Sequence, residues 1–435
     1  MEGRDPKLAG GQTTAVRYEC TGVAIAPFLV IPFIIQSDIC VARLELTQQS
    51  PLAMGMGLLF GLALMAIVLR RAEVARVFRE AQLVFFGFFL LATIALAGSL
   101  LPDACFDEGG KYISYPSIFA ILFTLALTSS PLFVGDVAWR LAIAAALAAL
   151  VASIAVDAVS PGTFSMVPNR AAGFGINPNT GGALVALMTL GILNWKHPGF
   201  SAAAIVTMAV SGVGVFLTLS RSGMLTWGAI NAYYVYRSMK VRGASTWLVT
   251  GGAAFMLLGY AATASEWARD AIPMLGASHQ RIETFLGGGG GGGMDHADDS
   301  RIELAYEFML MAMESPWVGF GTGLMYSIEE GGAHNMYLSK WVENGIGAML
   351  ILVGMIYATY RVGRRHGDPA CIAMAGFVFI QGFFSHNLME DKAILMMWAF
   401  QLGRAALTAI PVARTSRKAT PVPRQVMRPR LAEAA

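Results

Sequence analysis

Hydrophobic and polar positions in this chain are grouped in long blocks rather than alternating residue by residue. Apolar runs fall at 22–36, 52–69, 83–101, 118–134, 139–156 and 181–193, then at 200–219, 223–236, 247–262, 345–360, 371–384 and 393–410. A helix that crosses a bilayer needs ~20 residues, so several of these runs must recruit their polar flanks to complete a span. The pattern predicts an all-α polytopic membrane protein of about twelve transmembrane helices. It divides the chain into spans one to nine (1–264), a long polar interval (265–335), spans ten to twelve (336–410) and a tail (411–435). An interval of that length usually carries a function.

Composition agrees with the pattern. Hydrophobic residues make up 55% of the 435 positions and charged residues 14%, and the mean hydropathy is +0.57. Such values exclude an ordinary soluble domain, and with a net charge of only +3 nothing points to a nucleic-acid partner. The first apolar run lacks a small-residue cleavage pattern and reads as a retained signal anchor. Cys20, Cys40, Cys105 and Cys371 have no metal-ligand spacing. Cys40 and Cys105 both fall in outward loops, where pairing is open to them in an oxidising compartment.

The distribution of positive charge sets the orientation. With the N-terminus inside, 22 of the 31 Lys and Arg residues fall in cytoplasmic segments, among them Arg70, Arg71, Arg76, Arg79 and the basic tail. Both termini are therefore expected in the cytoplasm. The nine outward cations are the interesting remainder, and they include Arg170, Arg221, Arg281, Arg301 and Lys340.

Arg221 sits in "LSRSGML", at the outer corner between the seventh and eighth runs. One reading is an arginine snorkelling to the interface. The other starts from its place at the opening of a helix, where the macrodipole is positive and a bound anion would reconcile the two. A second outer corner reads "VPNRAAGFGINPNTGGAL"; it carries Arg170, with Asn179 or Thr180 as candidate helix cap and Asn177 and Pro178 as turn residues. Together the two arginines suggest one shared anionic ligand.

Inside the long interval, "FLGGGGGGGMDHADD" is a glycine tract, read either as a passive spacer or as a moving lid. The segment "DDSRIELAYEFMLMAMESP" that follows predicts a helix capped at Asp299 or Ser300, with Glu303 in a capping box and Pro316 at its end. Arg281 and Arg301 flank the tract, either closing over a ligand or solvating the loop. Farther on, "GFGTGLMYSIEEGGAHNMYLSKWVENGIGAML" places His334 at the start of the tenth span and Glu343 about two turns in. A neutral imidazole at a helix N-terminus suits a general base, and it suits a helix cap equally well. Glu343 is expected to orient a neighbour or pair with an arginine. His279, His296 and His386 read as bystanders. No carboxylate cluster has metal-ligand spacing, and no nucleotide-type phosphate loop is present in the sequence.

Taken as a set, "NRAAGFGINPNTGGALVAL", "LSRSGML", "RIELAYEFMLMAMESPWVGFGTG" and "AHNMYLSKWVENGIG" resemble the bacterial O-antigen ligase family, which also includes polysaccharide polymerases and protein O-oligosaccharyltransferases. The resemblance covers Arg170 to about Leu350, together with the predicted span layout and one large periplasmic loop with short helices. It implies a class-C glycosyltransferase fold in the bacterial inner membrane, with its active site facing the periplasm. The implied reaction moves a glycan from undecaprenyl diphosphate to a hydroxyl of the lipid A–core, without metal or other cofactor. Arg170 and Arg221 would hold the diphosphate, His334 would activate the acceptor, and Arg301 would be a further phosphate contact; Arg281 has no motif match. The rivals are an O-antigen or exopolysaccharide polymerase within the family and, outside the enzymes, a lipid-linked oligosaccharide flippase or transporter. A transporter should carry midplane charges and an internal repeat, and neither is apparent.

Overall fold

The computed structural model describes Ala26 and residues 51–102, 104, 111–167, 170–242, 295–327, 334–385 and 388–408. Among these the chain is helical and has no strand. In order, the helices are α1 (Pro51–Leu69), α2 (Arg71–Gly98), α3 (Lys111–Phe133), α4 (Asp136–Val159), α5 (Pro178–Ile192), α6 (Ala202–Thr218) and α7 (Arg221–Arg242). They continue with α8 (Asp295–Glu314), the single turn α9 (Leu324–Ser327), α10 (Met336–His366), α11 (Pro369–Gly382) and α12 (Lys392–Thr408).

Four described helices are long and apolar enough to cross a membrane: α2, α3 from Pro116 onward, α4 and α10. Segments 55–69 (α1), 202–218 (α6) and 369–382 (α11) are apolar but shorter. Their faces are arranged as lipid would require. α2 buries Ala81, Gly87, Ala92 and Ala95 while exposing Leu83, Phe86 and Leu96. α4 buries Ala138, Ala142 and Ala146 and exposes Val137 and Leu141. In hydrocarbon the apolar surface gains nothing by hiding, so small residues at the contacts and van der Waals packing hold the helices together.

Bonds between helix termini define two ends of the bundle. At one end α2, α4, α6 and α11 finish and α5, α7, α10 and α12 begin. Here Thr322 Oγ1 donates to Ala95 O at 2.6 Å, and Tyr337 OH to Phe379 O at 2.9 Å. The opposite end is tied by charge. Arg404 Nη2 donates to both oxygens of Asp368 at 2.8 Å. Lys196 pairs with Asp136, and Arg365 and His366 both reach Glu80.

Several boundaries differ from the sequence expectation. α2 begins at Arg71, so Arg76 and Arg79 lie on its opening turns rather than in a loop. α8 begins at Asp295, which leaves Asp299 and Ser300 inside the helix, and the capping box around Glu303 has no helix start to close. Acidic residues in a first turn complement the macrodipole, and starting at Asp295 places Asp295 and Asp298 there. α10 starts at Met336, where the tenth span was expected to open, and runs through polar residues before it reaches the apolar run at 345. The first run apart from Ala26, the ninth run, the glycine tract, Cys20, Cys40, Cys105 and the basic tail lie outside the described residues.

Candidate functional site

The corner between α6 and α7 is only two residues long. Leu219 closes α6 in the left-handed conformation, φ 52° and ψ 29°. Ser220 starts α7: its Oγ accepts from Gly223 N at 3.1 Å and its carbonyl from Met224 N at 2.9 Å. The first bond satisfies one of the amides a helix start leaves open, and the second is the first bond of the helix itself. Arg221 is the first residue of α7 and is exposed. A cation there sits at the positive end of the helix, where it is disfavoured by ~0.3–1 kcal/mol unless an anion intervenes.

Arg170 arrives at the same corner from the α4–α5 loop. Its Nη2 donates to Thr218 O at 3.3 Å, Leu219 O at 3.2 Å and Asn179 Oδ1 at 3.1 Å. The two carbonyls belong to the C-terminus of α6, where the dipole favours a cation. One guanidinium therefore lies at the negative end of α6 while the next residues of the chain begin the positive end of α7. The cap of α5 is Asn177, whose side chain accepts from Asn179 N, with Pro178 in the first turn. Neither Asn179 nor Thr180 takes that part; Asn179 contacts Arg170 instead.

What joins the two motifs is a close helix contact. A Cβ on Gly223 would lie 2.9 Å from Gly182 Cα, and one on Gly182 would lie 2.8 Å from Ser220 Cβ. Side chains at either position would force α5 and α7 apart. The "TGG" of one motif and the "SRSG" of the other are thus two halves of one interface.

His334 precedes α10 by two residues with a left-handed backbone, φ 46°. It is half-buried, and it does not cap the helix: Asn335 does, accepting from Tyr337 N at 3.0 Å and Leu338 N at 3.1 Å. Tyr337 then packs on α11, within 2.8 Å of where a Cβ on Gly382 would be. Gln381, the residue before Gly382, donates from Nε2 to Ser222 O at 3.2 Å and to Thr226 Oγ1 at 2.8 Å. The end of α11 therefore ties the first turn of α10, and the His334 just before it, to the first turn of α7 and Arg221.

α10 is broken at Gly345, φ 79° and ψ 170°. The segment after α8 fills the break. Phe320 N and Gly321 N donate to Val342 O and Glu343 O at 2.9 and 3.0 Å, and Ile346 N donates to Pro316 O at 2.8 Å. Hence the "GFGTG" glycines serve a backbone-to-backbone contact: a Cβ on Gly319 would meet Glu343 O at 2.5 Å. Glu343 itself is 2% exposed and pairs with Lys340 at 2.8 Å, a lysine where an arginine was one expectation.

Arg301 is a residue of α8, of whose side chain nothing is described, and Arg281 lies outside the described residues. His279 and His386 also lie outside them. The sequence reading missed Asp157, which is fully buried and accepts four backbone N–H bonds from the Arg170 loop. The signal available was a lone carboxylate in the otherwise apolar "SIAVDAV". It also missed Gln381, for which the sequence offers no signal. Among the described residues no group of three or more His, Cys, Asp and Glu could hold a metal ion.

Neither a protein-family model nor a curated protein matches this chain.

Proposed function

We propose that the protein is an O-antigen ligase, an inverting glycosyltransferase that takes a glycan from undecaprenyl diphosphate and attaches it to a lipid A–core hydroxyl. The observation that carries the reading is the meeting of the Arg170 and Arg221 motifs across the Gly182–Gly223 contact. Two cations, a set of helix N–H groups and an imidazole tied in through α11 gather at one end of a lipid-facing bundle. A polyprenyl diphosphate suits that position, because its phosphates lie at the membrane surface while its tail stays in hydrocarbon.

In this reading His334 takes the proton of the acceptor hydroxyl as its oxygen bonds to C1 of the sugar. The bond from C1 to the diphosphate breaks on the opposite face, and the anomeric centre inverts. Negative charge grows on the departing diphosphate, and Arg170 and Arg221 stabilise it by charge-assisted hydrogen bonds. The donor is already activated, so no nucleotide is required. This end of the bundle faces the periplasm.

The test is transfer by purified protein from a synthetic lipid-diphosphate glycan to lipid A–core. Wild-type transfer, with loss in Arg221→Ala and His334→Ala, is the expected result; full activity in both variants rejects the mechanism. A deletion strain separates ligase from polymerase. Ligase loss leaves lipid-linked polymer unattached, whereas cores bearing a single repeat would make the protein a polymerase.

A further inference from the structure

The loop that carries Arg170 is pinned on both sides by one side chain. Asp157, two residues before the end of α4, is fully buried. Its Oδ1 accepts from Phe164 N at 2.6 Å and Ser165 N at 3.3 Å, and its Oδ2 from Ala172 N at 3.1 Å and Gly173 N at 2.8 Å. Ser153, one turn earlier on the same helix face, accepts from Phe174 N at 3.1 Å while donating to Leu150 O at 2.8 Å. Gly173, φ 53°, makes this approach possible, for a Cβ there would lie 2.3 Å from Ser153 Oγ and 2.7 Å from Ile154 N. The carboxylate therefore closes a ring of backbone from residue 164 to residue 173, with Arg170 on its rim.

We propose that the polar end of α4, Asp157 seconded by Ser153, is a positioning element that sets the Arg170 guanidinium against the α6–α7 corner. The proposal deepens the reading of that corner as a diphosphate site and rests on it for its kinetic consequence. A carboxylate's two oxygens have about four acceptor directions, and here all four are spent on amides on either side of one arginine. A residue needed only to finish α4 would bond the amides that follow it immediately; half of these bonds reach 15 or 16 residues ahead. The amide of an asparagine offers one acceptor oxygen and, in place of the other, an N–H₂ that faces backbone N–H. Asp157→Asn thus releases one side of the ring while keeping the side chain's shape.

The experiment is a double-variant cycle in purified full-length protein, read as donor KM and kcat. Asp157→Asn is expected to raise the donor KM about tenfold with a smaller change in kcat, and to add nothing further in an Arg170→Ala background. An equal effect in both backgrounds, or an unchanged KM, overturns the proposal. If Asp157→Asn does not yield folded protein by size exclusion, Ser153→Ala carries the same cycle with a smaller shift and the same two overturning results. A second readout needs no transferase activity: the rate at which phenylglyoxal modifies Arg170, followed by peptide mass spectrometry. Loosening the loop should speed it several-fold, and an unchanged rate overturns the positioning role. Faster modification in a protein that transfers no glycan would sink the ligase reading and leave the positioning intact.

Discussion

Arg170 and Arg221 lie at one corner, Arg170 half-buried and Arg221 exposed, so their substitutions should separate. Arg221 is exposed at a helix start, so Arg221→Ala is expected to leave stability within about 0.5 kcal/mol. Transfer should fall about 100- to 1,000-fold, the usual effect of removing one charge-stabilising donor. Arg170 donates to two backbone carbonyls and Asn179. Arg170→Ala should therefore lower activity similarly and also cost about 1.5–3 kcal/mol of stability, read as a lowered melting temperature in detergent. An unchanged melting temperature in Arg170→Ala would contradict the observed bonding. His334 gives a third comparison. Its left-handed backbone is one that glycine adopts without strain. His334→Gly relieves that strain and is expected to stay folded yet be inactive, whereas a variant both inactive and unfolded would make the imidazole a packing residue.

At the level of elements, the apolar runs located the helices but not their ends. Arg76 and Arg79 lie within α2, and Tyr337 to Asn344 form the first part of α10, where Tyr337 bonds Phe379 O and Asn344 bonds Thr322, partners that a hydropathy window does not count. The break at Gly345 was likewise hidden. Its meaning lies in residues 316–321, whose amides and carbonyl pair with the opened helix. A Cβ on Gly345 would sit 2.1 Å from Trp317 O. Gly345→Ala must displace that segment, at a cost of about 1–3 kcal/mol for overpacking, with left-handed strain added. Chymotrypsin is expected to cut at Trp317 and Phe320, between α8 and α10, faster in that variant; unchanged cleavage would mean that the segment is anchored elsewhere. The four sequence pieces that suggested a function each turned out to include a contact surface. The Gly-rich turns pack α5 on α7 and seat the 316–321 segment on α10, and this brings the arginines and the histidine to the same end.

Across the described residues, two charge-bearing clusters lie at the two ends. One end holds the corner with Arg170 and Arg221, and the other holds the Asp136, Lys196, Asp368 and Arg404 network with the Glu80 pairs. If the bundle spans a bilayer, cysteines placed at Leu100 and at Lys196 in a background without native cysteines should react with an impermeant maleimide from opposite sides. Both positions are exposed, Leu100 at 86%. Labelling of both from one side would refute the two-ended arrangement. Residue pattern alone marked the chain as helical, located the described apolar helices and showed which corners carry cations, because hydropathy and turn chemistry act over a few neighbouring residues. That Arg170 meets the end of α6, that Asp157 anchors the loop and that α11 links α10 to α7 came from the folded chain. Those relations join residues tens to more than a hundred positions apart, and no local pattern records which distant backbone a side chain will reach.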